Sequence, residues 1–228
     1  MAVDVDMKAL LEAGAHFGHK TSRWHPKMSQ YIHSKRNDSH IINLDRTVEN
    51  LEKSLAFATD LSKNGKKILF VGTKKQLKEP IKAAAEAAEM PYVTVRWVGG
   101  TLTNVETVNK QIRKLKDLEK KMASGELESR YSKLEVQRFQ EQIDLLNERY
   151  GGIKNMTEQP AAVLVTDAIE DHNAVKEANR LRIPVIAICD TNVDPSGVTH
   201  VIPMNDDAVN AEELVLNYFV EAIKAGKK

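Results

Sequence analysis

Residues 13–37 hold five Lys or Arg, four His and three large aromatic residues, and no carboxylate, in a chain with 32 Asp and Glu. The cations Lys20, Arg23, Lys27, Lys35 and Arg36 are interleaved with Phe17, Trp24 and Tyr31 and with His16, His19, His25 and His33. Ammonium and guanidinium groups neutralise phosphates, and flat rings stack on bases. The combination suits nucleic acid, and folded RNA in particular. An ordinary solvated basic loop is the competing reading. Within the stretch, Arg23 and Lys27 would take phosphates, Trp24 would stack on a base or anchor the segment, and Pro26 would stiffen it.

Further cations are placed where polyanion contact is chemically sensible. Lys74 and Lys75 follow the apolar run that ends at Gly72, beside the start of a helix that favours anions. Arg96 stands at a glycine-paired hinge, where it could reach RNA or close a salt bridge. Lys110, Arg113, Lys114 and Lys116 make one helix strongly basic, by RNA contact or as a solvated face. No Walker loop surrounds Lys74, and no GxGxxG run occurs, so no nucleotide is expected.

The carboxylates Asp167, Asp190, Asp194, Asp206 and Asp207 fall at the ends of apolar runs and in the loops after them. Such groups could hold a divalent ion, act as general acids and bases, or cap turns. Asp167, Asp190 and Asp206 are weak metal candidates, and the three-residue step between His16 and His19 adds little. No cofactor, metal or catalysis is therefore expected. Cys189 lies in an apolar run, where a buried thiol is inert.

These side chains must be positioned by a chain of 228 residues, 42% hydrophobic and 29% charged, with a formal net charge of +1. That is a soluble globular composition with room for a large core. One cysteine, no membrane-length apolar run and no signal-peptide pattern point to the cytoplasm. The charge is polarised: residues 1–157 hold 27 Lys or Arg against 20 Asp or Glu, and residues 158–221 hold 3 against 12. This predicts one side facing a polyanion and an acidic outer face that could receive a protein partner.

Helical spacing is expected over residues 4–13, over 48–63 with Thr47 as the cap, over 76–89, over 170–181 and over 207–225. Strand-like runs are HIINL, KILFVG, PYVTVRW, AAVLVTD, IPVIAICD and VTHVIP. Alternating strands and helices predict an α/β, doubly wound, mostly parallel sheet of the Rossmann or flavodoxin-like kind. Between residues 104 and 150 the apolar residues step at heptad-like intervals on two helices joined by MASGELES, which predicts an inserted antiparallel coiled-coil hairpin, with two more packing helices of the core as the competing reading. The expected organisation is a single domain over 1–228, interrupted by an arm at 104–150, with 14–37 as a basic RNA-facing loop.

The segments LLEAGAHFGHKTSRWHPKM, RNDSHIINLDRTV, KILFVGTKKQ, RWVGGTLTN, YGGIKNM and IPVIAICDTNVDP followed by IPMNDDA resemble the S-two family of bacterial small-subunit ribosomal proteins. The likeness runs in order over roughly residues 7 to 224. Departures are Val98 for the usual leucine, His25 for asparagine and Met204 for a common glycine. The resemblance implies a non-enzymatic structural protein on the solvent side of the small subunit, between head and body. It implies contact with small-subunit ribosomal RNA, with neighbouring ribosomal proteins and with the large ribosomal protein called S-one, and no small-molecule substrate. The competing functions are an α/β enzyme acting on a phosphorylated small molecule and an interaction module that dimerises through the hairpin.

Overall fold

The computed structural model describes residues 4–227. The chain opens with α1 (Met7–Glu12), capped by Asp6, whose carboxylate accepts the Lys8 N–H at 2.8 Å. The segment expected as a basic loop is instead a small antiparallel sheet. It comprises β1 (Phe17–Lys20), a 3-10 helix (Pro26–Tyr31), β2 (Ile32–Arg36) and β3 (Ser39–Ile42), in the order β1-β3-β2. Asn37 and Asp38 explain the hairpin: both take positive φ, 46° and 61°, as a two-residue turn between right-twisted strands requires.

After α2 (Leu44–Lys63) come β4 (Ile68–Val71), α3 (Lys78–Ala88) and β5 (Tyr92–Val93). The cap of α2 is Asn43, accepting from Asp45 and Arg46, whereas Thr47 lies buried inside the helix and donates to the Pro203 carbonyl. The strand expected over PYVTVRW pairs only at Tyr92 and Val93, because the chain then turns into the hinge held by Glu177. Then follow α4 (Val105–Ala123), α5 (Glu126–Arg130), α6 (Lys133–Tyr150), β6 (Ala162–Val165), α7 (His172–Arg180), β7 (Val185–Cys189), β8 (His200–Pro203) and α8 (Val209–Gly226).

The large sheet is wholly parallel, in the order β5-β4-β6-β7-β8. Its central strands are buried along their length, so each residue packs on one layer or the other. Phe70, Leu164, Ile186 and Ile188 pack with α2, α3 and α8, whereas Leu69, Val71, Val163, Val165 and Ala187 pack with α4, α6 and α7. This is the doubly wound α/β architecture. Strand order reverses between β4 and β6, opening the crevice beyond their carboxyl ends where ligands of such sheets bind.

The base of the hairpin belongs to that second layer. Val108, Ile112, Leu115 and Leu118 of α4 and Ile143, Leu146 and Tyr150 of α6 are buried in the same apolar cluster as the sheet face. Glu119 accepts from Asn147 at 2.9 Å and pairs with Lys154. The tip is more open, with Leu134 60% exposed. MASGELES is more than a turn: Gly125 adopts φ 71°, α5 then forms around buried Leu127, and Ser132 with Glu135 makes a capping box for α6.

Candidate nucleic-acid interface

The small sheet presents its cations in register. Lys20 on β1 and Arg36 on β2 both sit opposite Ser39 on the central strand, so the two share one face. Both are exposed, and neither they nor Arg23 makes an ion pair among the described residues. Arg23 follows in the turn whose N–H donates to the Lys20 carbonyl at 2.9 Å. Trp24, 40% exposed, lies 5.3 Å from the His40 ring, so one edge anchors and the rest is open to stacking. Two other cations are partly spent: Lys35 pairs with Asp38 at 3.6 Å, and Lys27 pairs with Asp194 at 3.2 Å and donates to Ser196. Hydrogen bonds from the Ser196 hydroxyl and N–H, and then from Lys27, hold the Asp194 carboxyl down at about 2.

The sheet is docked on the α/β body. The His25 N–H donates to the Thr191 carbonyl at 2.7 Å, Met28 is fully buried, and His25 Nδ1 accepts from the Lys27 N–H. A Cβ at position 18 would stand 2.8 Å from Thr191 Cγ2, so only glycine lets β1 approach this closely. His19 sits at the seam, its N–H donating to Asp190 Oδ1 at 3.2 Å and its Nδ1 lying 2.7 Å from Asp190 Oδ2.

The sheet-end crevice carries a different arrangement from the one expected of Lys74. Its ammonium lies 3.0 Å from Asp167 Oδ2, 3.2 Å from Asp206 Oδ1 and 3.1 Å from Asp207 Oδ1, and it donates to the Asp206 carbonyl at 2.6 Å. Burial alone would lower its pKa, but Asp206 and Asp167 raise it above that of an ordinary lysine. Lys74 is thus an internal cation bridging β4 to the loops after β6 and β8, with its side chain only 18% exposed. The structure offers it no free reach to an external phosphate. Lys75 beside it is exposed.

The same end of the sheet crowds further carboxylates. Burial and then the Asp167 charge push Asp206 up to about 6, against the pull of Lys74. Asp171 accepts from the Thr73 N–H and hydroxyl, and burial still pushes it up to about 6. Glu212 in the first turn of α8 is fully buried with neither carboxyl oxygen hydrogen-bonded, and burial pushes it up to about 9. Asp194, read with this group, lies instead on the surface beside Lys27. Cys189 is buried and its thiol is pushed up, as an inert thiol should be.

Arg96, Arg113, Lys114 and Lys116 are exposed without an ion pair among the described residues, and Lys110 pairs with Glu106 at 3.2 Å. The hinge before them is held by Glu177 of α7. Its Oε1 accepts from Trp97 Nε1 at 2.9 Å and the Gly100 N–H at 2.7 Å, and its Oε2 from the N–H groups of Leu102 and Thr103 and the Thr103 hydroxyl. Nothing in the sequence singles out Glu177, because its partners lie 74 to 80 residues away. His19 stood among the histidines, but its pairing with Asp190 spans 171 residues.

Among the described residues no helix is long and apolar enough to cross a membrane. The geometry is that of a basic antiparallel sheet fixed to one end of a doubly wound body. Over nearly the whole of this structure, residues 10–226, the sequence matches the family model described as Ribosomal protein S2. The chain belongs to the ribosomal protein S2 family, the structural proteins of the small ribosomal subunit.

Proposed function

We propose that the chain binds small-subunit ribosomal RNA through the basic sheet, at the head–body junction on the solvent side. The observation that carries this is the row of Lys20 and Arg36 across Ser39, with unpaired Arg23 next to it and Trp24 half open beside them. Cations held in register on a docked sheet lose little entropy on meeting phosphates, and an open ring offers stacking. Arg113, Lys114 and Lys116 on α4 form a second row of phosphate contacts, with Lys75 and Arg96 as further candidates. The role is architectural and non-enzymatic: binding energy holds RNA elements in place. In support, Lys74 and its carboxylates occupy the crevice that an α/β enzyme would use for a phosphorylated substrate. The setting is the ribosome in the cytoplasm, beside neighbouring small-subunit proteins, with S-one docking on this protein.

The test is binding of purified small-subunit ribosomal RNA at rising salt, comparing the native protein with a Lys20→Ala, Arg23→Ala, Arg36→Ala triple variant. Three lost phosphate contacts should reduce the slope of log K against log salt by about 2 to 3. Thermal unfolding should hardly move, since none of the three is buried or paired. An unchanged slope in a folded variant would exclude the sheet as the interface.

A further inference from the structure

We infer that the groove between α3 and α8 receives an amphipathic helix of a partner protein, with leucine-sized anchors on one stripe and Lys or Arg beside them. The groove lies on the face of the large sheet opposite the hairpin and has a volume of about 570 Å³. Ala83, Ala84 and Ala87 of α3 line one side, and Leu216 and Val220 of α8 the other. Both helices follow strands of the same parallel sheet, so they run in one direction. Their carboxyl ends are tied together by Lys227, which donates to the Ala88 carbonyl at 2.8 Å and to Glu89 at 2.7 Å.

The chain leaves this space unfilled while closing the one beside it. On its other flank α8 lies tight against α2, where Ser62 donates to the Ile223 carbonyl at 2.7 Å and Thr59 to that of Ala222 at 3.3 Å. A Cβ at position 226 would stand 2.5 Å from the Thr59 carbonyl oxygen, so only glycine allows that approach. Among the described residues, no hydrogen bond crosses from α3 to α8 short of Lys227. Exposed alanines stand at 83 and 87, one turn apart, where larger side chains would fill the gap. From residue 79 to residue 87 the wall runs about 12 Å at 1.5 Å per residue. That accommodates two turns of a docked helix, with anchors at i and i+4 or i+7.

Charge selects the occupant. Among the described residues, the only charged side chains lining the groove are Glu79 and Glu213, both exposed and neither in an ion pair. Glu213 lies beyond the first turn of α8, whose carboxylate is Glu212, so the helix dipole does not account for it. The lysines of α3 do not offset the pair. Lys78 and Lys82 line a separate recess on the other flank of that helix, toward β5. Carboxylates beside an apolar floor repel phosphates and attract cationic side chains, which favours a basic protein helix over RNA. The chain thus turns its cations to RNA on the small sheet and the arm, and a carboxylate-rimmed groove to protein on this layer.

The experiment uses the full chain without RNA, so its failure leaves the interface reading intact. The probe is a fluorescent, lactam-bridged helical peptide of about three turns, with leucines at i, i+4 and i+7 flanked by lysines. The control peptide has glutamates in place of the lysines. By anisotropy the native chain should bind the lysine peptide saturably and at least about tenfold tighter than the control. The Glu79→Lys, Glu213→Lys variant should reverse that order. The Ala83→Gln, Ala87→Gln variant should bind neither peptide yet keep its Tm, because both positions are exposed and glutamine is a good helix former. In the assembled subunit, a photocrosslinker at position 83 should attach to a helical segment of another protein that carries Lys or Arg. Equal binding of the two peptides, or binding that survives Ala83→Gln, Ala87→Gln, would overturn the site. So would a position-83 crosslink to RNA or to a second copy of this chain, or none at all.

Discussion

At position 212 a glutamate occupies the first turn of α8, where the helix dipole would favour its charged form. Burial overrides the dipole, and the carboxyl is pushed up to about 9 from 4.5. A carboxyl with a raised folded pKa binds its proton more tightly in the folded chain. Its penalty is therefore absent below about pH 4.5 and grows as pH rises toward 9. Glu212→Gln keeps the shape and removes the titration. The variant should match the native Tm near pH 4.5 and exceed it by several degrees at pH 8.5, as calorimetry would read. Equal Tm values at both pH values would refute a protonated Glu212. Sequence gave no hint of this residue, since Glu212-Glu213 reads as an ordinary polar step in an amphipathic helix. Lys74 was visible as a lysine after a strand, but its partners 93 to 133 residues away decide its role, and no local pattern carries them.

Elements with strong local periodicity were legible, and those defined by distant partners were not. The apolar runs at residues 68–71, 162–165 and 185–189 announced buried parallel strands because both faces need burying. The strand β3 was legible in HIINL, but β1 and β2 escaped because their exposed basic faces look like loop, and only Asn37-Asp38 marked the turn. The two hairpin helices were legible from their apolar steps, yet the steps could not say that their base is part of the core. What orients that base is Glu177, a carboxylate accepting five hydrogen bonds from the hinge. Burial works against its charge, but the bonds from Trp97, Gly100, Leu102 and Thr103 win and hold its pKa below the usual range. Glu177→Ala strands those donors and should cost about 2–4 kcal/mol, read by urea unfolding. Proteolysis within residues 97–104 should rise with it. A loss under about 1 kcal/mol would mean that apolar packing of α4 alone sets the hinge.

Across the molecule, charge is arranged differently from its order along the chain. The acidic surplus of residues 158–221 suggested an acidic outer face. Of its twelve carboxylates, Asp167, Asp171, Asp190, Asp206 and Glu212 are buried and Glu177 is tied to the hinge. Half of the twelve, Glu158, Glu170, Asp194, Asp207, Glu213 and Glu221, stay exposed, but the five buried ones leave the exposed charge more positive than the formal +1. A surface of that sign steers the chain toward RNA at long range. The same redistribution is measurable without RNA. Unfolded, every group titrates normally and the isoelectric point should approach the sequence value of 7.8. Folded, Glu212 keeps its proton at that pH, which adds close to one positive charge. Few other groups titrate between a histidine near 6.5 and a lysine near 10.4, so a single charge moves the isoelectric point by about half a unit or more. Focusing native protein against protein in urea should show the native band on the basic side. In Glu212→Gln, where neither state has the carboxyl, the two bands should draw together. Coincident bands in the native sequence would mean that the buried carboxylates are ionised and balanced by cations the fold already holds.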